Sequence, residues 1–341
     1  MTKRARVIYN PTSGREGIKD DLLEILSIYE KAGYETSAYA TTPEPFSARD
    51  EATRAALDGF DLVAAAGGDG TVNEVINGIS GLEKRPKVAI IPAGTTNDFA
   101  RALGIPRDDL VDAAKVVLLD QTMKMDIGHV TGDDVKIPYF MNIAALGTLS
   151  EITYSVPSTL KSLYGYLAYV TKGAELITKV TPVPVKIEYD GGVFDDEASL
   201  VFVALTNSVG GFEKIVPDAK LNDGKFSLLI IKKTNIAQLF ALVAKALSNG
   251  SHVKDPLVTY VKTSNINIST TSDQKMKVNL DGEYGGDVPV TFTNLREHIE
   301  FVAPAKKLLG RNKDKKATTP EEVMAKKAEK EFKKEFNDIK K

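Results

Sequence analysis

Residues 62–71 read Leu62-Val63-Ala64-Ala65-Ala66-Gly67-Gly68-Asp69-Gly70-Thr71, and Val72-Asn73-Glu74 follow without a break. Five apolar residues with no polar alternation predict a strand buried on both faces, as in a parallel sheet covered by helices. The glycines come directly after it, and a helical pattern starts from Val72. At the carboxyl end of a parallel strand, glycines let the backbone approach a phosphate closely, and the unpaired N–H groups of the next helix supply donors and positive potential. Asp69 adds an acid where a nucleotide's metal ion would sit. The plain alternative is a tight strand-to-helix turn in which Asp69 and Thr71 only cap the helix.

Working outward, short β-rich runs alternate with helical periodicity from the start of the chain to about Leu118, which predicts βα units on a parallel sheet. Strands are expected at Arg6 to Tyr9, Glu35 to Ala40, Leu62 to Ala66 and Lys87 to Ile91. Helices are expected at Ile18 to Lys31, Ser47 to Leu57, Val72 to Ile79, Asp98 to Leu103 and, amphipathically, Asp108 to Leu118. After Lys124 the pattern becomes β-rich runs separated by Gly132-Asp133-Asp134, Asp190-Gly191-Gly192 and Asn222-Asp223-Gly224, which predicts a mainly antiparallel second half. Helical stretches interrupt it at Ser158 to Leu176 and Ile236 to Leu247. The expected organisation is an α/β domain over 1–124, joined by a returning segment 290–304, a β-sandwich domain over 125–303, and a basic tail over 305–341.

Composition narrows the function. The 341 residues are 43% hydrophobic and 26% charged, the balance of a globular chain. The absence of cysteine excludes disulfides and thiolate chemistry, and three histidines make zinc chemistry a poor fit, so a reducing cytoplasm is expected. No apolar run approaches the roughly 20 residues needed to span a bilayer, so any membrane contact is expected to be peripheral. The net charge of −2 conceals a tail, residues 306–341, with 13 Lys or Arg against 7 Asp or Glu. The rest of the chain is acidic, which argues against nucleic acid as a partner. Within the tail, Thr319-Pro320-Glu321-Glu322 predicts a helix start, and Met324, Ala328, Phe332, Phe336 and Ile339 form one apolar stripe.

Two further loops resemble the first in kind. Asn10-Pro11-Thr12-Ser13-Gly14 follows the first strand, and Pro92-Ala93-Gly94-Thr95-Thr96-Asn97-Asp98 follows the strand ending at Ile91. Open α/β sheets bind ligands beyond the carboxyl ends of their strands, so three such loops predict one polyanion pocket. Taken in this order with Gly67 to Thr71, the motifs resemble the diacylglycerol kinase catalytic domain family, over approximately residues 3–303. A lone Gly-Gly-Asp-Gly-Thr would not separate it from NAD kinases or phosphofructokinases.

The resemblance implies a nucleotide-binding α/β domain followed by a β-sandwich, with ATP and Mg²⁺ in the cleft between them. It implies ATP contacts from Asn10, Pro11, Thr12, Ser13 and Gly14, from Thr41, from Gly67, Gly68, Asp69, Gly70, Thr71, Val72 and Asn73, and from Thr95. It also implies an acidic network of Asp69, Asp98 and Asp126 around the catalytic Mg²⁺. In Leu280-Asp281-Gly282-Glu283 the family assigns the glutamate, Glu283, as the base that takes the proton of a lipid hydroxyl. On its own this is an Asp-Gly hairpin turn with Glu283 solvated. Lys220-Leu221-Asn222-Asp223-Gly224-Lys225 resembles the family's structural Mg²⁺ loop, with the Asp223 side chain and the carbonyls of Lys220 and Lys225 as ligands. Asn222 stands where a second acid is common.

The implied activity is ATP-dependent phosphorylation of diacylglycerol at the inner face of a membrane rich in anionic lipid, by a peripheral enzyme that is often a homodimer in relatives. Arg15, Arg101 and Lys161 are the basic candidates for membrane contact. A kinase for a sphingoid base or phosphatidylglycerol, a NAD kinase, and a non-catalytic nucleotide- or lipid-binding module are the rival readings.

Overall fold

The computed structural model describes residues 2–13, 17–147, 180–207, 215–271 and 276–305. The expected Ser158 to Leu176 helix and the 306–341 tail lie outside the described residues, as do Gly14, Arg15 and Lys161.

The first half is a helix-covered parallel sheet. Its strands are β1 (Lys3–Tyr9), β2 (Tyr34–Ala40), β3 (Leu62–Gly67) and β4 (Lys87–Pro92), and its helices are α1 (Gly17–Lys31), α2 (Ser47–Leu57) and α3 (Asp69–Ile79). The spatial order β4-β3-β1-β2 puts β3, all six of whose residues are buried, in the interior. All pairings are parallel, with Tyr9 beside Ala66 and Gly67 beside Pro92, so the carboxyl ends share one edge. The chain leaves β1 towards β2 and returns on its other side at β3. The switch point of the sheet therefore lies between the loops after β1 and β3.

Two expected helices differ. α3 begins at Asp69, not Val72, with Gly68 as its N-cap residue in extended conformation. Asp69 is thus in the first helical turn and half-buried rather than on an open loop. The single helix expected over 108–118 is split. After α4 (Asp98–Ala102) comes α5 (Leu110–Ala114), whose N-cap Asp109 accepts from the Asp112 amide, and then a 3₁₀ turn over Lys115–Leu119. The adjacent β-branched Val116 and Val117, both buried, favour this tighter ending over a further α turn.

The second half contains β5 (Thr122–Gly132), β6 (Tyr139–Phe140), β7 (Ile143–Leu146), β8 (Val183–Tyr189), β9 (Gly192–Ala204), β10 (Phe226–Lys232), β11 (Val258–Thr263), β12 (Asn265–Thr270), β13 (Lys277–Leu280), β14 (Glu283–Asp287) and β15 (Val290–Val302). All its internal pairings are antiparallel. The sheet closes over a core that includes Phe140, Phe226 and Phe292, with Phe140 stacked on Phe226 and edge-on to Phe292. Helix α6 (Ile236–Ser248) starts in an Asn235–Gln238 capping box and buries Leu239, Phe240 and Leu242 against Leu200 and Ile231.

β15 connects the two halves. It runs antiparallel to β5 from Val290 opposite Gly132 to Val302 opposite Thr122, pairs with β12 at its start, and meets β4 in parallel at Phe301 opposite Val88. Phe301 is fully buried in the first domain's core, edge-on to Phe99 at 5.0 Å between ring centroids. Phe301→Ala should therefore destabilise the α/β half by about 3–5 kcal/mol, read as a lower urea midpoint at unchanged slope.

Candidate active site

The shared edge of the parallel sheet assembles four chain segments. The Asn10 amide donates to the Ala66 carbonyl at 2.9 Å, so the first loop leaves β1 already fastened to β3. The Asn10 side-chain oxygen then accepts from the Thr12 amide and hydroxyl, at 3.0 and 2.9 Å, and folds Asn10 to Ser13 into a compact turn. Thr41 sits beside it, its amide bonded to the Tyr9 carbonyl at 2.8 Å.

The second and third loops touch through glycine. The Ala93 amide donates to the Gly67 carbonyl, and a Cβ on Gly94 would lie 2.7 Å from the Cα of Gly68 and 2.8 Å from Oδ1 of Asn97. No side chain fits between these backbones. Asn97, in the left-handed region at φ 47°, closes the third loop by accepting from the Gly94 amide and donating to the Gly94 carbonyl. Helix α3 directs its first turn at the same place. The Val72 amide is the first with an intrahelical acceptor, the Gly68 carbonyl, which leaves the Asp69, Gly70 and Thr71 amides as the unpaired helix-start donors.

Asp69 joins the two loops. Its carboxylate accepts from the Thr96 hydroxyl at 2.9 Å and from the Asn97 and Phe99 amides. Burial, and then the neighbouring charge of Asp98, push it above the ordinary carboxylate range, against the pull of those donors. Asp98 is buried at the start of α4. A carboxylate that feels a second one in this way is the kind of group a divalent cation pairs with. Thr95 is exposed at the loop tip, whereas Val72 packs into the core. Arg101 is half-buried on α4.

Asn73 is 2% exposed, and its amide is engaged by the second domain rather than turned to the loop edge. It donates to Asp281 at 3.1 Å and accepts from Asn77 at 3.0 Å. Asp281 and Gly282 form a two-residue turn between β13 and β14, with φ 53° and 100°, and Leu280 pairs with Glu283. This is the left-handed geometry for which Asp-Gly is suited. Glu283 is exposed, two residues beyond a hydrogen bond to α3.

Asp126 is placed differently from Asp69 and Asp98. It is buried on β5, where its oxygens accept from the Gly224 amide at 2.7 Å and the Glu297 amide at 2.8 Å. Burial raises its pKa first, those amides oppose the shift, and Asp223 adds to it. The structure thus groups Asp126 with the 220–225 loop. There the Asp223 side chain accepts from the Lys225 amide at 3.1 Å, while the Lys225 ammonium turns away to Asp190 and Ser264. Among the described residues no three His, Asp or Glu side chains cluster as a metal site. One carboxylate with backbone carbonyls and waters is nevertheless a set of hard oxygens that fits Mg²⁺.

Thr96, Asn97, Asn77 and Asp281 emerge only here. The Asn73/Asn77 spacing of four marks one helix face, but nothing local says what that face meets.

Comparison with known proteins places these features in a class. Residues 4–130 match the model of the diacylglycerol kinase catalytic domain, and residues 150–303 that of the YegS C-terminal NAD kinase beta sandwich-like domain. The chain is 51% identical over 305 residues to a diacylglycerol kinase of Bacillus subtilis (strain 168), covering 89% of this chain and 98% of that one. It is 50% identical over 304 residues to a diacylglycerol kinase of Staphylococcus aureus (strain bovine RF122 / ET3-1), covering 89% and 93%. A crystal structure of a diacylglycerol kinase from Bacillus anthracis str. Sterne superimposes with a TM-score of 0.68 at 27% identity, covering 89% and 98%. The chain belongs to the diacylglycerol kinase family and is a phosphoryl-transferring enzyme.

Thr96→Val removes one donor to Asp69. It should cost about 1 kcal/mol of stability and move the Asp69 titration, followed by carboxyl carbon NMR, further upward.

Proposed function

We propose that the enzyme transfers the γ-phosphoryl group of ATP to the free hydroxyl of diacylglycerol, giving phosphatidic acid and ADP. The observation that supports this best is the Asn73–Asp281 hydrogen bond, which holds the hairpin carrying Glu283 against the helix that starts in the phosphate loop. Asn73 follows Asp69 by one helical turn, a rise of about 6 Å.

In this reading the three loops cradle the phosphates through their backbone amides, with Asn10 to Gly14, Thr41, Gly67 to Val72 and Thr95 as the nucleotide-binding segments; the Asn73 side chain, taken up by Asp281 and Asn77, is assigned to domain contact instead. Asp69 and Asp98 would hold a Mg²⁺ that neutralises phosphate charge. Glu283 orients the lipid hydroxyl and accepts its proton as the oxygen takes the phosphoryl group. Phosphoryl transfer passes through a loose transition state stabilised chiefly by positioning and charge, so a carboxylate that accepts the proton late is sufficient. Asp223 with the Lys220 and Lys225 carbonyls would hold a second, structural Mg²⁺, and Asp126 fastens that loop to β15.

The lipid stays in its bilayer, so the enzyme works at the inner, anionic surface of the membrane. Among the described residues no helix is long and apolar enough to cross it. The Lys306 to Lys316 stretch, with six basic residues against Asp314, offers attraction to that surface. Homodimerisation is part of the same reading.

With labelled ATP and mixed micelles of diacylglycerol, sphingosine, phosphatidylglycerol or NAD, transfer should go to diacylglycerol; label only on NAD, or on nothing, overturns the proposal. Asp69→Ala should abolish transfer. Glu283→Gln should lower kcat by about 10² or more while the KM for ATP stays near its original value. For the loop ion, Mg²⁺ at about 100 times its Kd should add about 2.7 kcal/mol to stability. Asp223→Ala should remove that increment, and an increment that survives the substitution assigns the ion elsewhere.

A further inference from the structure

Asp281 is bonded more completely than a hairpin turn requires. An Asp-Gly turn is ordinarily solvated, whereas this one belongs to a half-buried residue whose carboxylate accepts four N–H groups from other segments of the chain. Oδ1 takes the Asn142 and Ile143 amides at 3.0 and 2.9 Å, and Oδ2 takes the Met141 amide at 2.8 Å and the Asn73 side chain at 3.1 Å. Its own amide returns a bond to the Ile143 carbonyl at 2.9 Å. Burial pushes its carboxyl up to about 6 although all four donors favour the ionised form. All four of these partners are N–H dipoles. A buried carboxylate held this way is costly to build, and an Asn-Gly turn would form the same hairpin.

The contact also continues beyond one pair. Asn77, four residues after Asn73, donates to the Tyr139 carbonyl at 2.9 Å and accepts from the Tyr139 amide at 3.0 Å, as a strand would. Two asparagines on one face of α3 therefore fix the phosphate-loop helix to the second domain. One of them holds the residue two positions before Glu283.

We infer that Asp281 is a positioning residue: through Asn73 it sets Glu283 at a fixed distance from the phosphate loop, so that the hydroxyl and the phosphoryl donor meet in register. The inference rests on Glu283 being the base of the proposed reaction. Misplacement of a reacting group by about 1 Å can cost about 10²-fold in rate. Loss of Asp281 should therefore act on turnover and not on nucleotide affinity.

The test compares Asp281→Asn, Asn73→Ala and the double variant in the full-length protein, by kinetics per folded molecule and by denaturation. Asp281→Asn turns an NH₂ group towards backbone donors and should lower kcat about 10- to 100-fold, with less than a twofold change in the KM for ATP. Asn73→Ala leaves Asp281 its three backbone donors and serves where Asp281→Asn folds poorly; it should lower kcat about 5- to 10-fold with the same unchanged KM. In the double variant the two losses should fail to multiply, and the stability changes should show the same coupling. A kcat per folded molecule equal to that of the unsubstituted enzyme in both single variants overturns the positioning role. So does a rise in the KM for ATP with kcat intact in Asn73→Ala, which would make Asn73 a nucleotide contact. Failure of the parent reading looks different: the unsubstituted enzyme transfers nothing to a lipid alcohol, or Glu283→Gln is fully active, and the positioning role falls with it.

Discussion

The geometry of the molecule depends on β15. Its thirteen residues pair with β5 along almost their whole length, and with β12 at one end and β4 at the other. Backbone hydrogen bonds thus run from the antiparallel domain into the parallel one. The spacing between the two domains is therefore held by a ladder, with Phe301 anchoring its end in the α/β core. The ladder breaks once, between Leu295 and Ile299, where Glu297 has a left-handed φ of 49°. An extra residue at a bulge leaves a backbone donor without a cross-strand partner. Asp126 accepts that donor, the Glu297 amide, and the Gly224 amide with its other oxygen, so one buried acid ties the bend of β15 to the neighbouring loop.

Three carboxylates, Asp69, Asp126 and Asp281, have raised pKa values, and in each the first cause is burial. Their neighbours separate their roles. Asp69 feels Asp98, and Asp126 feels Asp223, so each carries a carboxylate neighbour among the causes of its shift. Around Asp281 burial is opposed by N–H donors alone: the Met141, Ile143 and Asn142 amides and the Asn73 side chain. Its surroundings are those of a group that fixes backbone rather than one that collects charge. The same donors explain how a left-handed Asp is held at a turn that glycine or asparagine would otherwise occupy.

Much of this was legible locally. The unbroken apolar run of β3, the glycines after it, and the polar loops after β1 and β4 follow from burial on both faces and from turn chemistry, which act over a few residues. The parallel order then brings those loops to one edge. The Asp-Gly hairpin was equally readable, and so was Glu283 at its exit once the family motif was aligned. Less was readable where two local preferences compete, as at 108–118, where an amphipathic period meets the β-branched pair Val116-Val117 and the helix tightens early.

By itself the sequence determined the fold class, the placement of three loops rich in Gly, Thr and Asn at strand ends, and the chemistry available in them, because periodicity and backbone freedom are local properties of the chain. Only the tertiary structure decided which of those residues meet. Asn73 and Asp281 are 208 positions apart, and Asp126 and Glu297 are 171 apart. No propensity reaches that far: such pairs form because two domains share a ladder that leaves one register for packing, and because a buried carboxylate must find every donor it can.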